Sequence, residues 1–206
     1  MPTKNIPWKL LGLALLIIIL ALAYKLAERQ KEAKTVSILS VSSASLSAEE
    51  DYLSITLSPK PGEVLSVSGW QIGMANTRIP LAKASGLPHQ GQINEELPVV
   101  ITMPTTLILS AKRSPIGVSF RENKCIGMLA YFQTFEPPLP DPCHECIEET
   151  VGYPDYNTCV SNHLSESDFF GNTWRMYLAT DTNFTIKHKV VHLYDEHDKL
   201  LDTYTY

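Results

Sequence analysis

The sequence contains no G-x-S-x-G elbow, no H-E-x-x-H, no phosphate-cradling P-loop and no G-x-G-x-x-G dinucleotide fingerprint. The simplest supports for hydrolytic, zinc-proteolytic and nucleotide chemistry are therefore missing, and no catalytic residue, cofactor or metal is assigned. Positive charge is scarce over most of the chain. Of 17 basic and 22 acidic residues, six basic (Lys4, Lys9, Lys25, Arg29, Lys31, Lys34) and two acidic (Glu28, Glu32) fall within residues 1–34, leaving 11 against 20 and a net of -9 for residues 35–206. A surface of that sign repels a phosphate backbone, so nucleic acid is not expected as a partner.

A long apolar run is present at the N-terminus. Leu10 to Tyr24 reads LLGLALLIIILALAY, fifteen residues without a charge, flanked by Trp8-Lys9 and Lys25. Snorkelling of these flanks extends the run to the ~17 to 20 residues that cross a hydrocarbon core. The expectation is one N-terminal transmembrane helix with a charged stalk, Glu28 to Lys34, making residues 1–34 an anchor. Ala21-Leu22-Ala23 also fits a signal-peptidase site, but Tyr24 and the helical pattern of Lys25 to Ala33 favour an uncleaved anchor. Two basic residues precede the run and four follow it, a count that points the rest of the chain inward. Cysteine points the other way. Cys125, Cys143, Cys146 and Cys159 form an even set within 35 residues, the pattern of a compartment where disulfides persist. We expect a single-pass protein of the cell membrane with residues 35–206 outside the cytoplasm.

From Thr35 onward the pattern has period two. Val36 and Ile38, then Leu53, Ile55 and Leu57, then Leu65 and Val67 before Gly69-Trp70 mark half-buried strands, punctuated by Pro59-Lys60-Pro61-Gly62 and Ser68-Gly69. Pro98 to Met103, Thr106 to Ser110 and Ile116 to Phe120 add short strands. Lys189 to Tyr194, a turn at Asp195 to Asp198, and Leu200 to Tyr206 add a closing hairpin. Many short strands in a chain with 14 prolines predict a mainly β sandwich. An insertion at about 135–178 breaks the rhythm, with helices expected over Cys143 to Glu149 and, after Ser165, over Glu166 to Leu178.

Particular strings carry a resemblance. Asp51-Tyr-Leu-Ser-Ile-Thr-Leu with Val67-Ser-Gly-Trp70-Gln-Ile72, and the terminal VVHLYDEHDKLLDTYTY, resemble the lamin-tail-like domain, an immunoglobulin-like sandwich. Arg113-Ser-Pro-Ile-Gly-Val-Ser-Phe-Arg-Glu-Asn-Lys-Cys-Ile-Gly127, Phe135-Glu-Pro-Pro-Leu-Pro140 and Asp168-Phe-Phe-Gly-Asn-Thr-Trp-Arg175 are similar to its variant in membrane-anchored bacterial proteins. S-G-W alone is a weak signal, whereas the S-P-I-G-V-S-F-R-E-N-K-C block is specific. Asp198 stands where the hairpin glycine of that family is usual, and Ser110-Ala111 where a glycine often precedes the basic residue. The resemblance implies an immunoglobulin-like sandwich with scaffold or surface-interaction roles.

Cys143-His-Glu-Cys146 has the spacing of a redox pair or half of a zinc site. Its partners would be Cys125, Cys159, His144 or His163, at intervals that match no ribbon or finger, so structural disulfides are the favoured reading. Direct closure of Cys143 on Cys146 makes a very small ring. Cys125 is therefore expected to pair across to the insertion, with a stabilisation of roughly 2 to 4 kcal/mol. Arg113, Arg121, Glu122, Asn123 and Lys124 flank a loop that would suit a partner. The plainer alternative is that Arg121 and Glu122 tie this loop to the core. His188, His192 and His197 lie near the last hairpin without a carboxylate pattern and read as surface residues. Trp70, Trp174, Phe169 and Phe170 read as core aromatics. Asn183-Phe-Thr185 is a sequon with meaning only in a glycosylating host.

These features predict a non-catalytic, membrane-anchored interaction or structural module of the cell envelope, with a protein or surface polymer as partner. The rival from another class is a thiol- or zinc-dependent envelope enzyme centred on Cys143, His144 and Cys146.

Overall fold

Alternating side chains build the first sheet. In the computed structural model, which describes residues 44–46, 52–74, 76–148, 155–180 and 190–205, strand β2 (Tyr52–Leu57) turns Leu53, Ile55 and Leu57 inward and the intervening residues outward. It pairs antiparallel with β7 (Thr105–Ser110), placing Leu53 opposite Leu109 and Ile55 opposite Leu107. Short β1 (Ala44–Leu46) adds to the outer side of β2. On the other side β7 lies parallel to β9 (Phe170–Tyr177), and β9 pairs antiparallel with β8 (Phe120–Asn123), giving the order β1-β2-β7-β9-β8.

The second sheet is antiparallel, in the order β11-β10-β4-β5, from β4 (Gln71–Met74), β5 (Thr77–Pro80), β10 (Val190–Tyr194) and β11 (Leu200–Thr205). Its inward residues Ile72, Met74, Ile79, Val191 and Leu193 share one core with Leu53, Ile55, Leu57, Leu107, Leu109 and Met176 of the first sheet. Each such side chain contributes about 1.5 to 3 kcal/mol by leaving water. A two-stranded piece, β3 (Leu65–Ser66) with β6 (Val100–Ile101), completes a mainly β architecture compatible with a β-sandwich.

Parallel strands require a crossover, and the connection from β7 to β9 contains β8 and the cysteine-bearing segment. This crossover carries a core of its own. Phe120, Ile126, Met128, Leu129, Phe135, Tyr156, Val160 and Phe169 pack around the cysteines, with a 3₁₀ helix at Ile126–Tyr131 and α-helices at His144–Glu148 and Tyr156–His163. The last helix buries Tyr156, Cys159, Val160 and His163, one face at i, i+3, i+4 and i+7, and Asp155 caps it by accepting from the amides of Asn157 and Thr158.

Three local expectations are corrected. The helix expected over Glu166 to Leu178 is absent, because Phe170–Tyr177 is an interior strand bonded on both edges, and the insertion's regular structure ends before Phe170. The strand expected over Ile116 to Phe120 begins only at Phe120, because Ser114 to Gly117 is a turn closed by the Gly117 amide on the Ser114 carbonyl, with Gly117 at φ +83°. Phe170 is not a core residue: it is 38% exposed, edge-on to Phe169 and beneath the Arg121 guanidinium. Trp70 and Phe169 are buried, and Trp174 packs at the core margin. Leu10 to Tyr24, Val36, Ile38, Asn183 to Thr185 and His188 lie outside the described residues. Among those described, no helix is long and apolar enough to cross a membrane.

Candidate functional site: a cleft at Arg113 and a cluster of four cysteines

The five residues expected to form one partner-binding loop separate into two groups. Arg121, Glu122, Asn123 and Lys124 are each engaged by a different part of the fold. Arg121 donates from Nε to the Gly171 carbonyl at 2.7 Å. Burial lowers the pKa of its guanidinium. Glu122 accepts from Nε of the buried Arg175 at 2.5 Å, while the rest of that guanidinium donates to the carbonyls of Pro137 and Pro138. Asn123 donates to the Tyr156 hydroxyl at 2.8 Å and accepts from the Cys125 amide at 3.0 Å. Burial outweighs that hydrogen bond and pushes the Tyr156 phenol up to about 12. Lys124 bridges Glu166 at 2.8 Å and Glu145 at 3.0 Å, contacts that raise the lysine pKa. The carboxyl of Glu166 is correspondingly lowered, by Lys124 first and then by His163. This quartet is a clasp that joins β8 to β9, to the proline segment and to both helices.

Arg113 stands apart. It is exposed and, among the described residues, has no ion-pair partner. It lines a cleft of about 410 Å³ where the chain leaves the C-terminal ends of the parallel strands β7 and β9. Glu96 stands on the same cleft, with Ser114, Ser119 and Tyr177 along its wall. Among the described residues the buried Ser114 hydroxyl has no hydrogen-bond partner, and the buried Tyr177 phenol lies against the Arg175 guanidinium. Burial pushes the Tyr177 phenol up to about 12 even though the neighbouring Arg175 guanidinium pulls it down. No family model, curated protein or solved structure matches the chain. Function has to be read from these groups alone.

The cysteines form the second feature. Cys125 is bonded to Cys159 with 5.9 Å between their Cα atoms, so β8 and its 3₁₀ helix are stapled to the Tyr156–His163 helix, the cross-connection expected. Cys143 is bonded to Cys146, the small ring that ring size argued against. The His144–Glu148 helix supplies the reason, since its first turn brings the two Cα atoms to 5.2 Å. The sulfurs of Cys125, Cys146 and Cys159 lie within 4.8 Å of one another and all three residues are buried. Each is engaged in a disulfide, which withholds the thiolates that a zinc site needs. His192 meets the Thr203 hydroxyl at 3.0 Å across the hairpin, and His197 lies exposed beside Glu196.

Sequence reasoning missed Glu96, Ser119 and Tyr177. Glu96 and Tyr177 are 81 positions apart in number and no local spacing joins them. The one available signal was the Ser114-Pro115-Ile116-Gly117 turn, whose chemistry brings the chain back over the ends of β7 and β9.

Proposed function

We propose that this protein is a membrane-anchored, extracytoplasmic interaction module of the cell envelope, built as a lamin-tail-like, immunoglobulin-like sandwich that catalyses no reaction of its partner. The partner is a protein or surface polymer, received at the Arg113 cleft. The observation that carries this reading is the division of labour among the five loop residues. Four are consumed by internal bonds, whereas Arg113 stands exposed and unpaired on a cleft that it shares with Glu96. Two disulfides within one crossover suit an oxidising space outside the cytoplasm. The apolar run Leu10 to Tyr24 suits an anchor that holds the cleft near the membrane, where effective concentration replaces raw affinity.

The test is site-specific photo-crosslinking of the full chain in bacterial cells, combined with protease shaving of the intact cells. A photoreactive side chain at Val118, on the cleft, is expected to give discrete adducts that disappear with Arg113→Ala, while the same probe at Glu63 gives none. Shaving should remove residues 35–206 without lysis. Equal background from both probe positions, or a domain that protease reaches only after lysis, would sink the proposal.

A further inference from the structure

The two disulfides share one pocket but differ in how a reagent can reach them. Cys125 and Cys159 are 0% and 2% exposed, enclosed by the crossover's own core, so their bond has no face open to another protein. Cys143 is only half-buried, at the edge of the same core, while its partner Cys146 points inward. Thiol–disulfide exchange needs a thiolate brought directly against a sulfur of the bond to be broken, so an enclosed disulfide is normally inert to bulky reductants. Here the required sulfur is already inside. Once released from Cys143, the Cys146 sulfur lies within 4.8 Å of both sulfurs of the inner bond.

We propose that Cys143–Cys146 is the port through which a dithiol reductant acts on the buried Cys125–Cys159 disulfide, with Cys146 carrying the exchange inward. A thiolate of the reductant attacks Cys143 Sγ and displaces the Cys146 thiolate. The reductant's second thiolate then attacks its own sulfur in that mixed disulfide, releases the Cys143 thiolate and departs as a disulfide, leaving its two protons and two electrons on the pair. The Cys146 thiolate attacks one sulfur of the inner bond, forms a linkage to Cys125 or Cys159 and expels the other as a thiolate. Attack by Cys143 on Cys146 closes the outer ring again and frees the second inner thiol. The net change is oxidation of one external dithiol and reduction of Cys125–Cys159, with the outer pair regenerated. Opening the inner bond releases the staple between the 3₁₀ helix and the Tyr156–His163 helix. The proposal does not depend on what binds at Arg113.

The experiment uses the full-length oxidised protein treated with limiting dithiothreitol, quenched by alkylation at intervals and mapped as peptides without reduction. Alkylated Cys143 and Cys146 are expected first, then a transient Cys146 linkage to Cys125 or Cys159, then alkylated Cys125 and Cys159. In the Cys143→Ala, Cys146→Ala double variant, reduction of the inner bond should slow by roughly tenfold or more, because exchange then has to wait for local opening. A Cys143→Ser variant should distribute its disulfide among the three pairings of Cys125, Cys146 and Cys159. The proposal is overturned if the inner bond opens equally fast in the wild type and the double variant. It is also overturned if Cys143→Ser keeps only the Cys125–Cys159 bond. Should the variants not fold, the wild-type time course decides alone, and alkylation of Cys125 and Cys159 before Cys143 and Cys146 overturns it.

Discussion

Arg175 concentrates much of the crossover's order in one side chain. It sits in an interior strand, 4% exposed, and spends its planar fork on the Glu122 carboxylate and on the carbonyls of Pro137 and Pro138. Among the described residues the proline segment has no strand partner of its own, so this guanidinium takes the place of a ladder. Arg175→Ala leaves a nearly enclosed carboxylate and two carbonyls unpaired, and is expected to lower unfolding free energy by roughly 3 to 5 kcal/mol in urea titrations. Arg175→Lys keeps the charge but not the fork, and should recover less than half of that loss. A loss under about 1 kcal/mol for alanine would mean that the clasp is ornamental. Asp198 teaches the complementary lesson. It occupies φ +64°, a region in which a non-glycine residue is strained, yet its carboxylate accepts from Arg78 at 2.5 Å and from Gln71 at 3.1 Å. A short polar side chain tolerates this conformation best after glycine, which is why the departure noted in the sequence changes the hairpin's contacts and not its course. Asp195 does the rest, accepting from the amides of His197 and Lys199.

At the scale of elements, the crossover is held to the sandwich by close approach as much as by covalent bonds. A Cβ at Gly127 would stand 2.4 Å from the Pro140 carbonyl oxygen and 2.5 Å from the Pro142 nitrogen, both backbone atoms that cannot swing aside. Gly127→Ala is therefore expected to push the Pro140–Pro142 segment off the 3₁₀ helix. Hydrogen exchange should accelerate over residues 138–148, while amides of β2 and β7 keep their protection; uniform change, or none, would contradict this. The strands that sequence periodicity identified well, β2, β7 and the β10–β11 hairpin, are those whose two faces see different solvents. Strand β9 defeated the same reasoning. Phe170-Gly-Asn-Thr-Trp-Arg-Met-Tyr has no clean alternation, because it is flanked on both edges and covered toward its end by the crossover core, so Arg175, Met176 and Tyr177 are buried in succession. The Tyr156–His163 helix was passed over although Asp155 and the i, i+3, i+4, i+7 spacing announced it. Ser165 offered a competing cap, and the cap that wins is the one whose following face fits a core.

For the molecule as a whole, the displaced acid and phenol groups define a pH window of stability. Asp155 is lowered by the Thr158 hydroxyl, and Glu166 by Lys124 and His163. A lowered folded pKa adds stability that is present above the unfolded value and lost as pH falls through the folded one. Thermal stability should therefore decline as pH drops below the ordinary glutamate value of 4.5, less steeply in Glu166→Gln. Tyr156 and Tyr177 are raised by burial from 10.0 to about 12, so their share is full below pH 10.0 and is lost as pH rises toward about 12. Melting temperatures across pH, with tyrosinate absorbance on the alkaline side, check both limbs; a flat acid limb or early tyrosinate formation would refute the assignment. Composition and periodicity alone determined that residues 35–206 are acidic and mainly β, that Leu10 to Tyr24 is an uninterrupted apolar run, and that the cysteines would staple the insertion. These are properties of charge count and of neighbours along the chain. Only the tertiary structure decided that β9 is a strand, that Arg121 to Lys124 are spent internally while Arg113 stands exposed on a cleft, and that Cys146 rests beside the inner disulfide. Each of those depends on segments tens of residues apart meeting in one place, and that meeting is settled by which surfaces bury together, a quantity no local window of sequence contains.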